Sequence, residues 1–365
     1  MPTKLVNTKH FQMASRLREQ IRGMQPGEVL PRVSDLIAEF GASQATVDRA
    51  IARLRREGLV CRPAGKQRLV VAEFCDPALR RVVIVRPDYP SELFETVTRI
   101  AVEAGRAKDW AFDYTYYRSL ERLDLERAMG ENDAAILQLT GEPLPKHLRE
   151  VLCKPRKPVV LVQARDERLT LPSVCPDDAR MAALAVEHFA ALGHRQLAIL
   201  LPSCESWPMR QALAGWRAAL ARQGCADSGL GIIDCCLKPF ERALDGAYQT
   251  LRQWLAANRP PTGLYAATTH AGMGALRALR EAGIEVPRQM SLIVSSGLGK
   301  MADYLYPPAT SVEYDLEQYG QAIIGSLEQA IERPELPPRH VTVEPYLVIR
   351  ESTRRLAEMV PILPA

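Results

Sequence analysis

Gln44, Thr46, Asp48, Arg49, Arg53 and Arg56 fall on one side of a segment whose other side is Val47, Ala50, Ile51 and Leu54, the spacing of an amphipathic helix. A helix that buries the apolar set presents the rest as a row of amide, hydroxyl, carboxylate and guanidinium groups. Such a row can read base edges in a major groove: an amide pairs with adenine, a carboxylate accepts from a cytosine amine, and a guanidinium reaches guanine or phosphate. Asp48 equally suits an intrahelical pair with Arg49 or Arg53. Ser43 stands at the start of the row as a helix cap.

The elements that must position this helix are legible on either side of it. Phe11, Ala14, Leu17 and Ile21 give a first amphipathic helix over His10 to Arg22, ended by Pro26 and Gly27. A second runs from Val33 to Phe40, and Gly41 is its expected left-handed terminator. After Gly58, the apolar runs Leu59 to Cys61 and Leu69 to Val71 flank Arg62, Gly65, Lys66 and Arg68, which describes a basic hairpin. The order is helix, tight turn, reading helix and wing. Residues 1 to 72 hold thirteen Lys/Arg against six Asp/Glu, whereas the remainder holds thirty-four against thirty-seven. The cations are therefore clustered where phosphate neutralisation and counterion release need them.

Leu30-Pro31, Ser43-x-x-Thr46-Val47-x-Arg49-Ala50-Ile51, Glu57-Gly58-Leu59-Val60 and Arg62-x-x-Gly65 resemble the signature of the GntR family over about sixty residues. The resemblance implies a winged helix-turn-helix that binds double-stranded operator DNA. Arg32, Gln44 and Asp48 depart from the family's usual residues; Arg32 stands in for a phosphate contact, and Gln44 and Asp48 replace usual arginines.

Residues 73 to 80 read as a linker, and residues 81 to 365 as a larger second domain. Apolar runs of buried-strand type occur at Val82 to Val85, Ala134 to Leu137, Val159 to Val162, Gln196 to Leu201, Gly263 to Ala267 and Ser291 to Val294, with helical stretches between them. The expected class is α/β: a doubly wound parallel sheet in each of two lobes, with ligand crevices beyond the strands' carboxyl ends. Leu192-Gly193-His194-Arg195, Gly215-Trp216-Arg217-Ala218-Ala219-Leu220, Ala278-Leu279-Arg280-Glu281-Ala282-Gly283-Ile284-x-Val286-Pro287 and Leu347-Val348-Ile349-Arg350-Glu351-Ser352 resemble, in order, the effector domain of the LacI/GalR family, a relative of periplasmic sugar-binding proteins. A GntR-type reader on a LacI-type sensor is similar to arabinose-repressor-like regulators. It implies a homodimer on a near-palindromic operator, controlled by a small-molecule effector, with repression as the usual sign.

That resemblance also locates a departure. The family grips sugar hydroxyls with an Arg, an Asn-Asp and an Asp; the matching positions here hold Ala212, Thr268 with Thr269, and Ser296. Buried hydroxyls without partners cost about 1 to 3 kcal/mol each, so common sugars are expected to bind poorly. A less polar or more aromatic effector is expected instead, contacted by Tyr89, Phe94, Trp207 and Tyr314, with Gln163 and Arg210 as polar anchors and Thr269 and Ser296 nearby. The alternative is that these aromatics plug a vestigial cleft.

A solute-binding or enzymatic α/β protein is the third reading, and the sequence disfavours it. The first twenty residues are polar rather than signal-like, and no apolar run approaches the ~20 residues of a membrane span, so a cytoplasmic protein is expected. No GxSxG, HExxH or phosphate-binding loop occurs, and no catalytic residue, cofactor or metal site is expected. Gly272-Met273-Gly274 reads as helix packing, and His194 as a backbone-bonded structural histidine. The eight cysteines, Cys235-Cys236 included, lack metal or disulfide spacing and read as reduced thiols.

Overall fold

A computed structural model describes residues 9–25, 27–56, 59–61, 68–71, 80–89, 91–225, 231–297 and 299–362. The N-terminal body contains α1 (Lys9–Arg22), α2 (Val33–Phe40), α3 (Gln44–Arg56) and the antiparallel pair β1 (Val60–Cys61) and β2 (Val70–Val71). Met13, Leu17, Ile21, Leu36, Val47, Ala50 and Leu54 close its core, with Val60 and Val71 from the hairpin packed beneath them. Gly41, at φ 54°, makes the left-handed turn between α2 and α3 that a Cβ would strain.

The larger body alternates strand and helix: β3 (Arg81–Pro87), α4 (Glu92–Arg106), β4 (Ala111–Tyr117), α5 (Leu125–Met129), β5 (Ala134–Gln138), α6 (Lys146–Cys153), β6 (Val159–Val162), β7 (Ser173–Pro176) and α7 (Asp178–Ala191). It continues with β8 (Leu197–Leu201), α8 (Trp207–Arg222), β9 (Ile232–Asp234), α9 (Ala243–Ala257), β10 (Gly263–Ala266), α10 (Thr269–Glu281), β11 (Ser291–Ser296), β12 (Thr310–Tyr314), α11 (Leu316–Glu332), β13 (His340–Val343) and β14 (Pro345–Val348). Two six-stranded sheets result, ordered β13-β7-β6-β5-β3-β4 and β14-β12-β11-β10-β8-β9. Every neighbouring pair is parallel except β12 with β14. Val82 to Val85, Ala134 to Leu137 and Leu197 to Leu201 are buried throughout, as strands covered on both faces by helices must be.

Six strands match the expected apolar runs. The others, β4, β7, β9, β12, β13 and β14, lie mostly toward the sheet edges, where one-sided or partial burial breaks up the apolar signal. The chain passes between the lobes three times, after β7, after β12 and after β13. The order in each sheet reverses at its first strand, β3 in one and β8 in the other, so a crevice opens at the carboxyl ends of β3 and β5 and of β8 and β10.

Candidate functional site

The outer surface of α3 exposes Gln44, Asp48 and Arg49, with Ser43 just before it and Thr46 partly covered. Ser43 and Thr46 share a hydroxyl hydrogen bond of 2.9 Å that organises the start of the helix. Arg32 is exposed at the head of α2, and its backbone N–H donates to Asp35 Oδ2 at 3.0 Å, which orders that turn. Arg68 is exposed beside β2, whereas Arg62, Gly65 and Lys66 lie outside the described residues. Arg53 is partly buried and lines a crevice against Arg81, Asp113 and Glu131 of the larger body. In the same region Arg18 Nη1 donates to Glu131 at 2.9 Å and Ser15 Oγ donates to it at 3.1 Å, which seats α1 on the first lobe.

Between the lobes lies a cavity of about 310 Å³, within the range of small-molecule sites. Its walls come from the carboxyl ends of strands in both sheets: Tyr89 after β3, Thr140 after β5, Gln163 after β6, Asp178 after β7, Pro208 after β8, Glu241 and Arg242 after β9, Thr268, Thr269 and His270 after β10, and Tyr314 at the end of β12. Phe94 from α4, Met181 from α7 and Met209 from α8 supply apolar surface. The rim joins the lobes directly. Tyr89 donates its hydroxyl to the Glu241 carbonyl at 2.9 Å and meets Phe240 edge-on at 5.9 Å, and Trp207 N–H donates to the Gly141 carbonyl at 2.7 Å.

Of the effector residues expected from the sequence, Tyr89, Phe94, Gln163, Thr269 and Tyr314 line this cavity. Trp207 and Arg210 do not; they line a second cavity of about 430 Å³, walled also by Glu142, Arg165, Asp166 and Arg168. Ser296 is 2% exposed, with its hydroxyl enclosed and unpartnered, and is not on the wall. Ala212 packs into the core beside Trp216, which stacks on Tyr265. Thr268 and Thr269 are spent on local structure: Thr268 accepts from Ala271 N–H at 3.1 Å as the cap of α10, and Thr269 donates to the Ser295 carbonyl at 2.9 Å.

Sequence reasoning missed Asp178, Met181, Met209, Glu241, Arg242 and His270. The Asp177-Asp178 pair at the start of α7 was an available signal. Asp177 accepts from Arg180 N–H at 2.8 Å, whereas Asp178 Oδ2 is enclosed and has no partner. Burial, followed by the neighbouring Asp177 charge, holds the Asp178 carboxyl well above the usual carboxylate range. Burial first and Asp178 second likewise push the Tyr314 hydroxyl up.

His194 is fully buried, with Nε2 at 2.9 Å from the Arg354 carbonyl and 3.1 Å from Ser291 Oγ; it ties the end of α7 to the C-terminal segment. Gly272 and Gly274 allow α10 to approach Val294 and the α9 backbone. Cys235 and Cys236 are free thiols, as are Cys153, Cys175, Cys204 and Cys225. Among the described residues no group of three His, Cys, Asp or Glu could hold a metal ion, and no helix is long and apolar enough to cross a membrane.

Residues 11–70 match the bacterial regulatory proteins of the gntR family, and residues 186–353 match the periplasmic binding protein-like domain. Fold and sites thus define a two-part DNA-binding regulator under small-molecule control, a helix-turn-helix head on a periplasmic-binding-protein-like body. Its relatives are helix-turn-helix transcription regulators of the LacI/GalR type. The regulator MalR of Streptomyces coelicolor is 24% identical over 341 residues, 88% of this chain and 96% of that one. An uncharacterized regulator in the aml 5′ region of Streptomyces limosus is 30% identical over 206 residues, 56% of each chain. The LacI family regulator from Enterococcus faecium with bound ribose shares the fold at a TM-score of 0.65 and 22% identity, covering 76% of this chain and all of that one.

Proposed function

We propose that this chain is a cytoplasmic, homodimeric repressor that binds a near-palindromic operator through residues 1–72 and releases or tightens it when an effector enters the interlobe cavity of residues 81–365, with 73–80 as the linker. The observation that carries this reading is the cavity of about 310 Å³ built across both sheets' carboxyl ends, on the same chain as an exposed α3 row containing Gln44, Asp48 and Arg49. An effector acts by its different affinity for open and closed lobes, and it shifts operator affinity by no more than that difference. The Arg18–Glu131 pair couples the first lobe to the head. Tyr304 and Tyr306, 84% and 93% exposed on the second lobe, supply apolar surface suited to a twofold partner.

The vestigial-sensor reading requires a filled cleft, and the open cavity beside Phe94 and Tyr314 favours a working sensor. Selection from random duplexes with the full chain tests the proposal. Enrichment of a near-palindromic site bound by two copies is expected; failure to enrich any sequence over bulk DNA refutes it.

A further inference from the structure

Two acceptor atoms of residues lining the interlobe cavity are enclosed without a partner. Asp178 Oδ2 is enclosed without a partner, and so is the amide oxygen of Gln163, a residue only 8% exposed. Gln163 also holds φ at 72°, a left-handed conformation that costs a non-glycine residue energy and collects at ligand sites. Folded proteins leave few buried acceptors unpaired, and each costs about 1 to 3 kcal/mol unless something fills it. The neighbouring candidates are already satisfied. Asp177 caps α7, Thr268 caps α10, and Thr269 is bonded to Ser295.

The charges point the same way. The wall carries the carboxyls of Asp178 and Glu241 against the single guanidinium of Arg242, which is engaged by Asp245 at 3.5 Å; His270 is the remaining titratable side chain of that wall besides the tyrosines. Asp178 interacts electrostatically with Asp177, Cys175, Tyr265, Tyr314 and Tyr319, and the guanidinium in that set is Arg165, which acts on Cys175. A ligand carboxylate would face the carboxyls of Asp178 and Glu241, with Arg242 shared with Asp245. A cation over the faces of Tyr89, Phe94 or Tyr314 gains ring attraction in addition to a carboxylate partner.

We propose that the effector carries a protonated amine seated against Asp178 and Gln163, with an apolar, ring-sized body lying among Phe94, Met181, Met209 and Tyr314. This deepens the effector-controlled reading above and rests on it. Binding would move a proton equilibrium as well: an ammonium beside Asp178 favours the ionised carboxylate that burial disfavours.

Calorimetry on the full chain at pH 7 with 2-phenylethylamine, 2-phenylethanol and 3-phenylpropanoate tests it, because the three differ mainly in the charge of the head group. The amine is expected to bind at least tenfold more tightly than the carboxylate, and Asp178→Asn to bring amine and alcohol within about threefold of each other. Equal or tighter binding of the carboxylate, no binding of any of the three, or an amine preference that survives in Asp178→Asn overturns the assignment. The wild-type comparison does not depend on how well the variant folds. Operator selection run on the same preparation separates the two claims: a selected operator with no bound probe removes only the amine assignment, and amine binding with no selected operator removes the regulator reading.

Discussion

Replacing Asp178 with asparagine exchanges one oxygen for an amide and removes a titrating group from the cavity floor. In the unfolded chain this carboxyl ionises near the ordinary 3.8, and in the folded protein burial and Asp177 hold it well above that. Below about pH 4 both states are protonated and the group contributes nothing to the pH dependence. As pH rises from there toward the folded value, the unfolded chain releases its proton and the folded chain keeps it, so stability falls at up to about 1.4 kcal/mol per pH unit. Above the folded value the loss levels off. The opposite slope comes from His188, His194 and His340, whose values burial lowers; they destabilise the fold as pH drops below 6.5. The informative quantity is therefore the difference between wild type and variant.

Asp178→Asn cannot ionise, so it should gain on wild type as pH rises from 5 toward 8, by up to about 1.4 kcal/mol per pH unit until the folded value is passed. For a body of this size that is on the order of 2 °C in Tm per kcal/mol. Thermal unfolding of the two proteins in matched buffers at pH 5, 6, 7 and 8 measures it. Parallel Tm profiles would show that Asp178 is solvated or partnered in solution, and would remove the enclosed-acceptor reasoning.

Arg49→Ala, on the exposed face of α3, should cost about 1 to 3 kcal/mol in operator affinity with the dimer intact; unchanged affinity by fluorescence anisotropy would remove α3 as the reading helix. Replacing Lys66 and Arg68 together with alanine should flatten the salt dependence of operator binding by about 1 to 2 units of slope, and an unaltered slope would place the wing off the DNA. Gly274→Ala puts a methyl 2.3 Å from the Leu244 carbonyl oxygen and 2.9 Å from the Tyr248 nitrogen, both backbone atoms. It should destabilise the second lobe by about 1 to 3 kcal/mol, read as a lower Tm, and a neutral outcome would contradict the close packing of α9 and α10.

Local rules were enough for the head. The 3.6-residue spacing of Val47, Ala50, Ile51 and Leu54 specifies which side of α3 is buried, and a turn that needs a left-handed residue announces itself as Gly41. The central strands β3, β5 and β6 were equally legible, because a strand covered on both faces must be apolar at every position. The half-exposed edge strand β4, Ala111–Tyr117, exposes Asp113 on one face and Tyr114 on the other and so leaves no such run.

The cleft was legible in location and only partly in membership. Tyr89, Phe94, Gln163, Thr269 and Tyr314 could be placed from strand ends and family motifs, since a doubly wound sheet gathers those ends at one edge. Trp207 could not, because its packing against the first lobe's core and its place in the neighbouring cavity depend on how the two lobes meet. Asp177 and Asp178 are the same residue type at adjacent positions, and composition and spacing cannot distinguish them. The sequence by itself determined that two acids open α7. The tertiary structure decided their roles: the backbone turn aims Asp177 at its own helix and leaves Asp178 Oδ2 enclosed without a partner.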